Sequence, residues 1–189
     1  MIKINKNIIS NNSKTYFIAD IAANHDGDIN RAKDLIYLCA KAGADAAKFQ
    51  HFNANTIVSN QGFKSLGGQQ SHQSKWKKSV FDVYQDASIN LDWTPILKNT
   101  CDEAGITFLT TPYSYELVDE VDNFLSAYKI GSGDITWLGI VEYVASKGKP
   151  VFLATGASTL KEVDIAMSTL LKKTNDIVLM QCNTNYTAS

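Results

Sequence analysis

Lys48 and Lys129 each stand near the end of a short apolar run, and this is the most chemically suggestive placement in the chain. A lysine there is costly to bury unless an anion meets it. Two ammonium groups, with Thr111 and Ser132 as nearby hydroxyl donors, suit a ligand that carries phosphate and carboxylate. For either lysine alone, an ion pair with Asp20 or Asp134 is the competing account.

Six apolar runs end in such polar clusters. They close on Ala19-Asp20 through Asn24-His25, Lys48-Phe49-Gln50, Thr110-Thr111-Pro112, Lys129 through Asp134, Thr155 through Ser158, and Gln181 through Asn185. The runs predict strands at Tyr16–Ile21, Ala46–Phe49, Thr107–Thr110, Ala127–Ile130, Val151–Ala154 and Ile177–Met180. They are apolar rather than strictly alternating, as expected for strands covered on both faces. Amphipathic segments lie between them; Ala32, Leu35, Ile36, Cys39 and Ala42 mark one helix face. Helix ends are predicted at Gly43, Gly105 and Gly148. Pro95 fits a first helical turn, Thr159 with Glu162 a capping box, and Asp26-Gly27-Asp28 a turn that caps a helix beginning near Asn30.

Strand alternating with helix predicts an α/β fold with a parallel sheet and right-handed crossovers. A doubly wound open sheet and a (β/α)8 barrel both satisfy that pattern. A G-x-G-x-x-G signature after the first strand is missing, which argues against dinucleotide binding. In either architecture the polar strand ends converge on one face, where such enzymes build their sites. One connection is far longer than usual: about forty residues separate Gln50 from the helix near Asp92. It is Gly/Gln-rich around Gly67 to Gln73 and then aromatic at Trp76, Phe81 and Tyr84. A surface insertion with its own short helix and a lid over the site are both open readings.

The chain has 189 residues, 44% of them hydrophobic, and a net charge of -1. That fits one domain of ordinary composition and gives no support for a nucleic-acid or membrane-surface partner. No apolar stretch reaches the length of a membrane helix, and no signal peptide is expected. Cys39, Cys101 and Cys182 lack metal-type spacing and read as reduced thiols of a cytoplasmic protein.

The ordered motifs resemble those of the sialic-acid synthase family. The likeness is carried by Ile18-Ala19-Asp20-Ile21-Ala22-Ala23-Asn24-His25-Asp26-Gly27-Asp28 and by Ala42-Gly43-Ala44-Asp45-Ala46-Ala47-Lys48-Phe49-Gln50. It continues through Thr110-Thr111-Pro112-Tyr113, Tyr128 to Asp134, Ala154 to Ser158, and Gln181-Cys182-Asn183-Thr184-Asn185-Tyr186. The resemblance implies a (β/α)8 barrel, of which about six βα units are present here. On that basis residues 1–189 are an incomplete N-terminal catalytic barrel domain, without two further strands and a C-terminal antifreeze-like domain. The full-length form is expected to be a homodimer.

The implied reaction condenses phosphoenolpyruvate with an open-chain N-acyl amino sugar such as N-acetylmannosamine, releasing phosphate and giving a sialic-type acid. Relatives make legionaminic or pseudaminic acid for surface glycans. A divalent metal, Mn2+ or Mg2+, is implied as the group that polarises the sugar aldehyde. The implied catalytic residues are Asp20, Lys48 and Lys129; Asp20 replaces a usual Glu and is a candidate for proton transfer or water positioning. Lys48, Thr111, Lys129 and Ser132 match phosphoenolpyruvate contacts, and Gln50 and Asp134 match sugar contacts. Ser158 stands where an Asn is common and is carried over as substrate-binding. Gln181 stands where many members have a metal-binding His; its amide oxygen is a weaker ligand for transition metals.

His25 is expected to be structural, His72 to face solvent, and His51 to face either the site or the helix layer. Two rival functions stand beside the first: another phosphoenolpyruvate aldol-type enzyme acting on a sugar phosphate, and a ligand-binding fragment without turnover.

Overall fold

The chain begins with an antiparallel hairpin, β1 (Ile2–Ile4) and β2 (Asn7–Ile9), where the sequence predicts no element. Asn5 in its turn takes a φ of 51°, a conformation that Asn tolerates better than most residues. The computed structural model describes residues 1–65 and 76–184. His72 and the Gly67–Gln73 stretch lie outside the described residues, as do Asn185 and Tyr186.

Six parallel strands follow, at the six predicted places. They are β3 (Ile18–Ala22), β4 (Ala46–His51), β5 (Thr107–Pro112), β6 (Tyr128–Ile130), β7 (Val151–Ala154) and β8 (Ile177–Met180). β3 starts two residues later than predicted, and β4 and β5 each run two residues further. Those extra residues carry His51 and Pro112 into the sheet. The ladders form two three-stranded parallel sheets, ordered β3-β4-β5 and β6-β7-β8, with β5 beside β6. No closed barrel is seen among the described residues.

The helices are α1 (Ile29–Lys41), α2 (Ala54–Ile57), α3 (Asn60–Ser65), α4 (Val80–Ala87), α5 (Trp93–Glu103), α6 (Tyr115–Asp122), α7 (Leu138–Ser146) and α8 (Leu160–Leu171). Their ends follow local chemistry. The Asp28 carboxylate accepts from Asn30 N at 2.7 Å and from Arg31 N, capping α1. Thr159 and Glu162 form the predicted capping box at the start of α8. Gly43 and Gly105 follow α1 and α5 with φ of 91° and 77°, which a side chain would strain. The long connection holds three short helices, α2 to α4, among its described residues. No helix among the described residues is long and apolar enough to cross a membrane.

Two apolar layers position the site. One lies between strands and helices, with Phe49, Phe108, Tyr128, Leu153, Ile36, Leu97, Val141 and Leu170 at its centre. The other lies at the N-terminal ends of the strands. There Ile4 of the hairpin is fully buried against Ala46, Leu109, Ala127 and Phe152. Asn5 Nδ2 also donates to Thr107 Oγ1 at 3.4 Å, at the first residue of β5. The hairpin therefore floors the strand interior, and the opposite, C-terminal ends stay open.

Candidate functional site

Side chains two residues apart on a strand share a face. That rule builds one cavity of about 660 Å3 at the strands' C-terminal ends. Asp20 from β3, Lys48 and Gln50 from β4, Thr111 and Tyr113 from β5 and its end, and Lys129 from β6 all line it. Ser132 and Asp134 join from a 3-10 turn directly after β6. Its apolar lining includes Leu109 and Phe152, both part of the Ile4 cluster, and Ile18 and Met180, which pack against that cluster.

Asp20 and Lys48 are register partners on adjacent strands. Lys48 Nζ lies 2.8 Å from Asp20 Oδ1, with the lysine side chain 9% exposed and the carboxylate 60% exposed. A register shift follows immediately between Asp20 and Ala22, and Ala22 takes a φ of 51°. Such a bulge re-aims the chain at a strand end. Here Ile21 is buried in the strand–helix core while Asp20 lines the cavity.

Lys129 Nζ donates to Ile130 O at 2.9 Å. Its pKa is pushed down to about 8, first by burial and then by the like charge of Lys48. Asp134 is pushed up to about 6 by burial, against the pull of Lys129. Burial also raises Tyr113, whose Oη accepts from Gln50 Nε2 at 3.1 Å. Two cations and two carboxylates thus share one half-open space, with each lysine influenced by a carboxylate that a stronger anion could displace.

Ser132 Oγ accepts from Gly156 N at 2.9 Å, joining the turn after β6 to the end of β7. A Cβ at Gly156 would meet Ser132 Oγ at 2.9 Å, Cys182 Cβ at 3.2 Å and Thr184 Cγ2 closer still. Only a residue without a side chain lets the ends of β6, β7 and β8 approach this closely.

Two expected residues are not brought to this cavity. Ser158 lines an adjoining recess, which shares Ser132, Gly133 and Thr184 with it, and donates to Gly156 O at 3.2 Å. Gln181 is exposed and lines neither space. Strand alternation is the reason: Met180 and Cys182 face the cavity, so Gln181 shares the outward side of Leu179. Among the described residues no group of three or more His, Cys, Asp or Glu side chains is placed to hold a metal ion.

Tyr113, Cys182, Asn183 and Thr184 line the cavity without having been singled out as site residues from the sequence. Tyr113 lies two positions beyond Thr111, so the same alternation was the available signal.

The histidines lie elsewhere. His51 is fully buried between the sheet and α5, with Nδ1 2.8 Å from Thr110 Oγ1 and Nε2 2.8 Å from Thr94 Oγ1. It therefore faces the helix layer, and its pKa is pushed down to about 4 by burial and by His25. His25 is buried edge-on to Trp93, with Nδ1 accepting from Gly27 N at 3.1 Å. Burial lowers its pKa against the pull of Asp26.

A family model described as the NeuB family matches residues 35–189. The N,N'-diacetyllegionaminic acid synthase of Campylobacter jejuni is 35% identical, over 93% of this chain and 53% of its own length. The enzyme of that name from Legionella pneumophila is 30% identical, over 92% and 50%. Among solved structures, the N-acetylneuraminic acid synthetase of Leptospira borgpetersenii, in complex with citrate, superposes with a TM-score of 0.84 at 25% identity. It matches 97% of this chain and 59% of that one. The chain spans about half the length of the curated relatives it matches.

Proposed function

The chain belongs to the NeuB family, and from that premise we propose that its cavity binds phosphoenolpyruvate and condenses it with an open-chain N-acyl amino sugar, giving a sialic-type acid and phosphate. The convergence of Lys48 and Lys129 with the hydroxyls of Thr111 and Ser132 in one cavity carries the reading. The Leptospira relative's structure is a complex with citrate, a polycarboxylate. The two three-stranded sheets, side by side with β5 next to β6, fit consecutive arcs of a (β/α)8 barrel.

In this reading C3 of phosphoenolpyruvate forms a bond to the aldehyde carbon, and the aldehyde oxygen takes up a proton. Water adds at C2 and loses a proton. The C2–O bond to phosphate then breaks, the proton of the C2 hydroxyl passes to the departing phosphate, phosphate leaves, and C2 becomes a ketone. Lys48 and Lys129 hold the anion and oppose the negative charge that develops on the leaving phosphate. Binding of phosphoenolpyruvate at Lys48 draws the ammonium from Asp20, whose carboxylate becomes available to accept the proton of the attacking water. Gln50 and Asp134 hold the acceptor's polar groups. Among the described residues no group of three or more His, Cys, Asp or Glu side chains is placed to hold the Mn2+ or Mg2+ that the sequence resemblance implies.

Calorimetry with phosphoenolpyruvate on the wild type and Lys129→Met tests the reading. A charge-assisted contact contributes about 1.5–3 kcal/mol, so the variant should bind at least about tenfold more weakly. Equal affinity in two folded proteins would remove Lys129 from the anion site.

A further inference from the structure

A second, apolar pocket of about 280 Å3 adjoins the lysine-bearing cavity. Phe52, Trp76, Val83 and Tyr84 line it, and it shares Gln50, Ile57 and Tyr113 with its polar neighbour. The rings form a continuous wall. Trp76 and Tyr84 have centroids 6.5 Å apart, Tyr84 and Phe52 5.4 Å, and Phe52 and Tyr113 6.1 Å. At the boundary, Gln50 Nε2 donates to Tyr113 Oη, which uses one end of the Gln50 amide and leaves the other for a ligand.

We propose that this aromatic pocket receives the acyl tail of the amino-sugar substrate and sets which acyl chains the site accepts. The proposal rests on the reading above in one respect, namely that the amino sugar occupies the polar cavity. An N-acyl group is an amide followed by an apolar tail, so it needs a hydrogen-bonding partner and then apolar surface, in that order. The shared wall presents that order: the Gln50 amide at the junction, then Tyr113, Phe52 and Tyr84. Those groups come from β4 and the residue that follows it, the end of β5, and α4, so the long connection between β4 and α5 supplies part of the specificity wall. Ala87, small and on the same wall, keeps the pocket open.

The test is a calorimetric series with N-formyl-, N-acetyl-, N-propanoyl- and N-butanoyl-mannosamine, run beside phosphoenolpyruvate alone. Each methylene buried should tighten binding by about fourfold, at least from formyl to propanoyl. Ala87→Phe, or Val83→Phe should the first variant not fold, should fill the pocket and flatten or invert the series. A flat series on the folded wild type overturns the proposal, and so does an absence of amino-sugar binding. A flat series with phosphoenolpyruvate bound defeats this inference alone. A graded series without phosphoenolpyruvate binding upholds the pocket and defeats the anion reading.

Discussion

Lys129 is half-buried at the cavity wall, and burial and Lys48 hold its pKa near 8. A dianionic phosphate brought against it favours the charged form, so the bound-state pKa lies above the free-state one. The sign follows. Affinity is full below about 8, where the ammonium is already present, and falls as pH rises beyond it. Above that point affinity for phosphoenolpyruvate should weaken by up to about tenfold per pH unit, until the bound-state pKa is passed. Calorimetric dissociation constants at several pH values from 7 to 9 measure this, and a Lys129→Met protein should show a flat profile. A pH-independent wild type would rule out titration of Lys129 in the site. At this scale much was legible. Asp20, Lys48, Gln50, Thr111, Lys129, Ser132 and Asp134 stand at strand ends in the sequence and meet in one cavity. What a motif alone does not fix is parity, because one residue of phase turns a side chain outward. Gln181 and Cys182 are adjacent in the sequence, yet only Cys182 faces the cavity.

Between β7 and α8, Gly156 is the point where three strand ends close up. Ala there would drive a methyl group against Thr184, Ser132 and Cys182. We expect Gly156→Ala to destabilise the fold by about 1–3 kcal/mol, the usual range for overpacking. It should also weaken phosphoenolpyruvate binding by displacing Ser132. Urea unfolding and calorimetry measure the two effects, and a variant unchanged in both would show that the contact relaxes freely. Elements with local signatures were readable: the Asp28 cap, the Thr159–Glu162 box and the glycine stops all appear as predicted. The hairpin was not, because two three-residue strands are too short to display a period. His51 could not be assigned a side from sequence either. Its direction depends on Thr94, which lies 43 positions away on α5.

Across the whole molecule, β3 and β8 each have one strand neighbour among the described residues. Leu179 on β8 is 48% exposed, and an apolar, unpaired strand edge is a template for association. The 189-residue chain should therefore self-associate with rising concentration in sedimentation velocity, and Leu179→Lys should reduce it. A monodisperse monomer at high concentration would show that the edge is protected. The division into two parallel sheets was legible only as alternation of strand and helix, since periodicity carries no information on closure.

The hairpin floor has one more effect. With Ile4 sealed against Leu109 and Phe152, the strand interior is closed at its N-terminal end, and approach is left to the end where Asp20, Lys48 and Lys129 stand and to the flank beyond β3 and β8. A ligand that settles lowest against that floor is the one most enclosed by protein, and a ligand at the rim is the one most open to solvent.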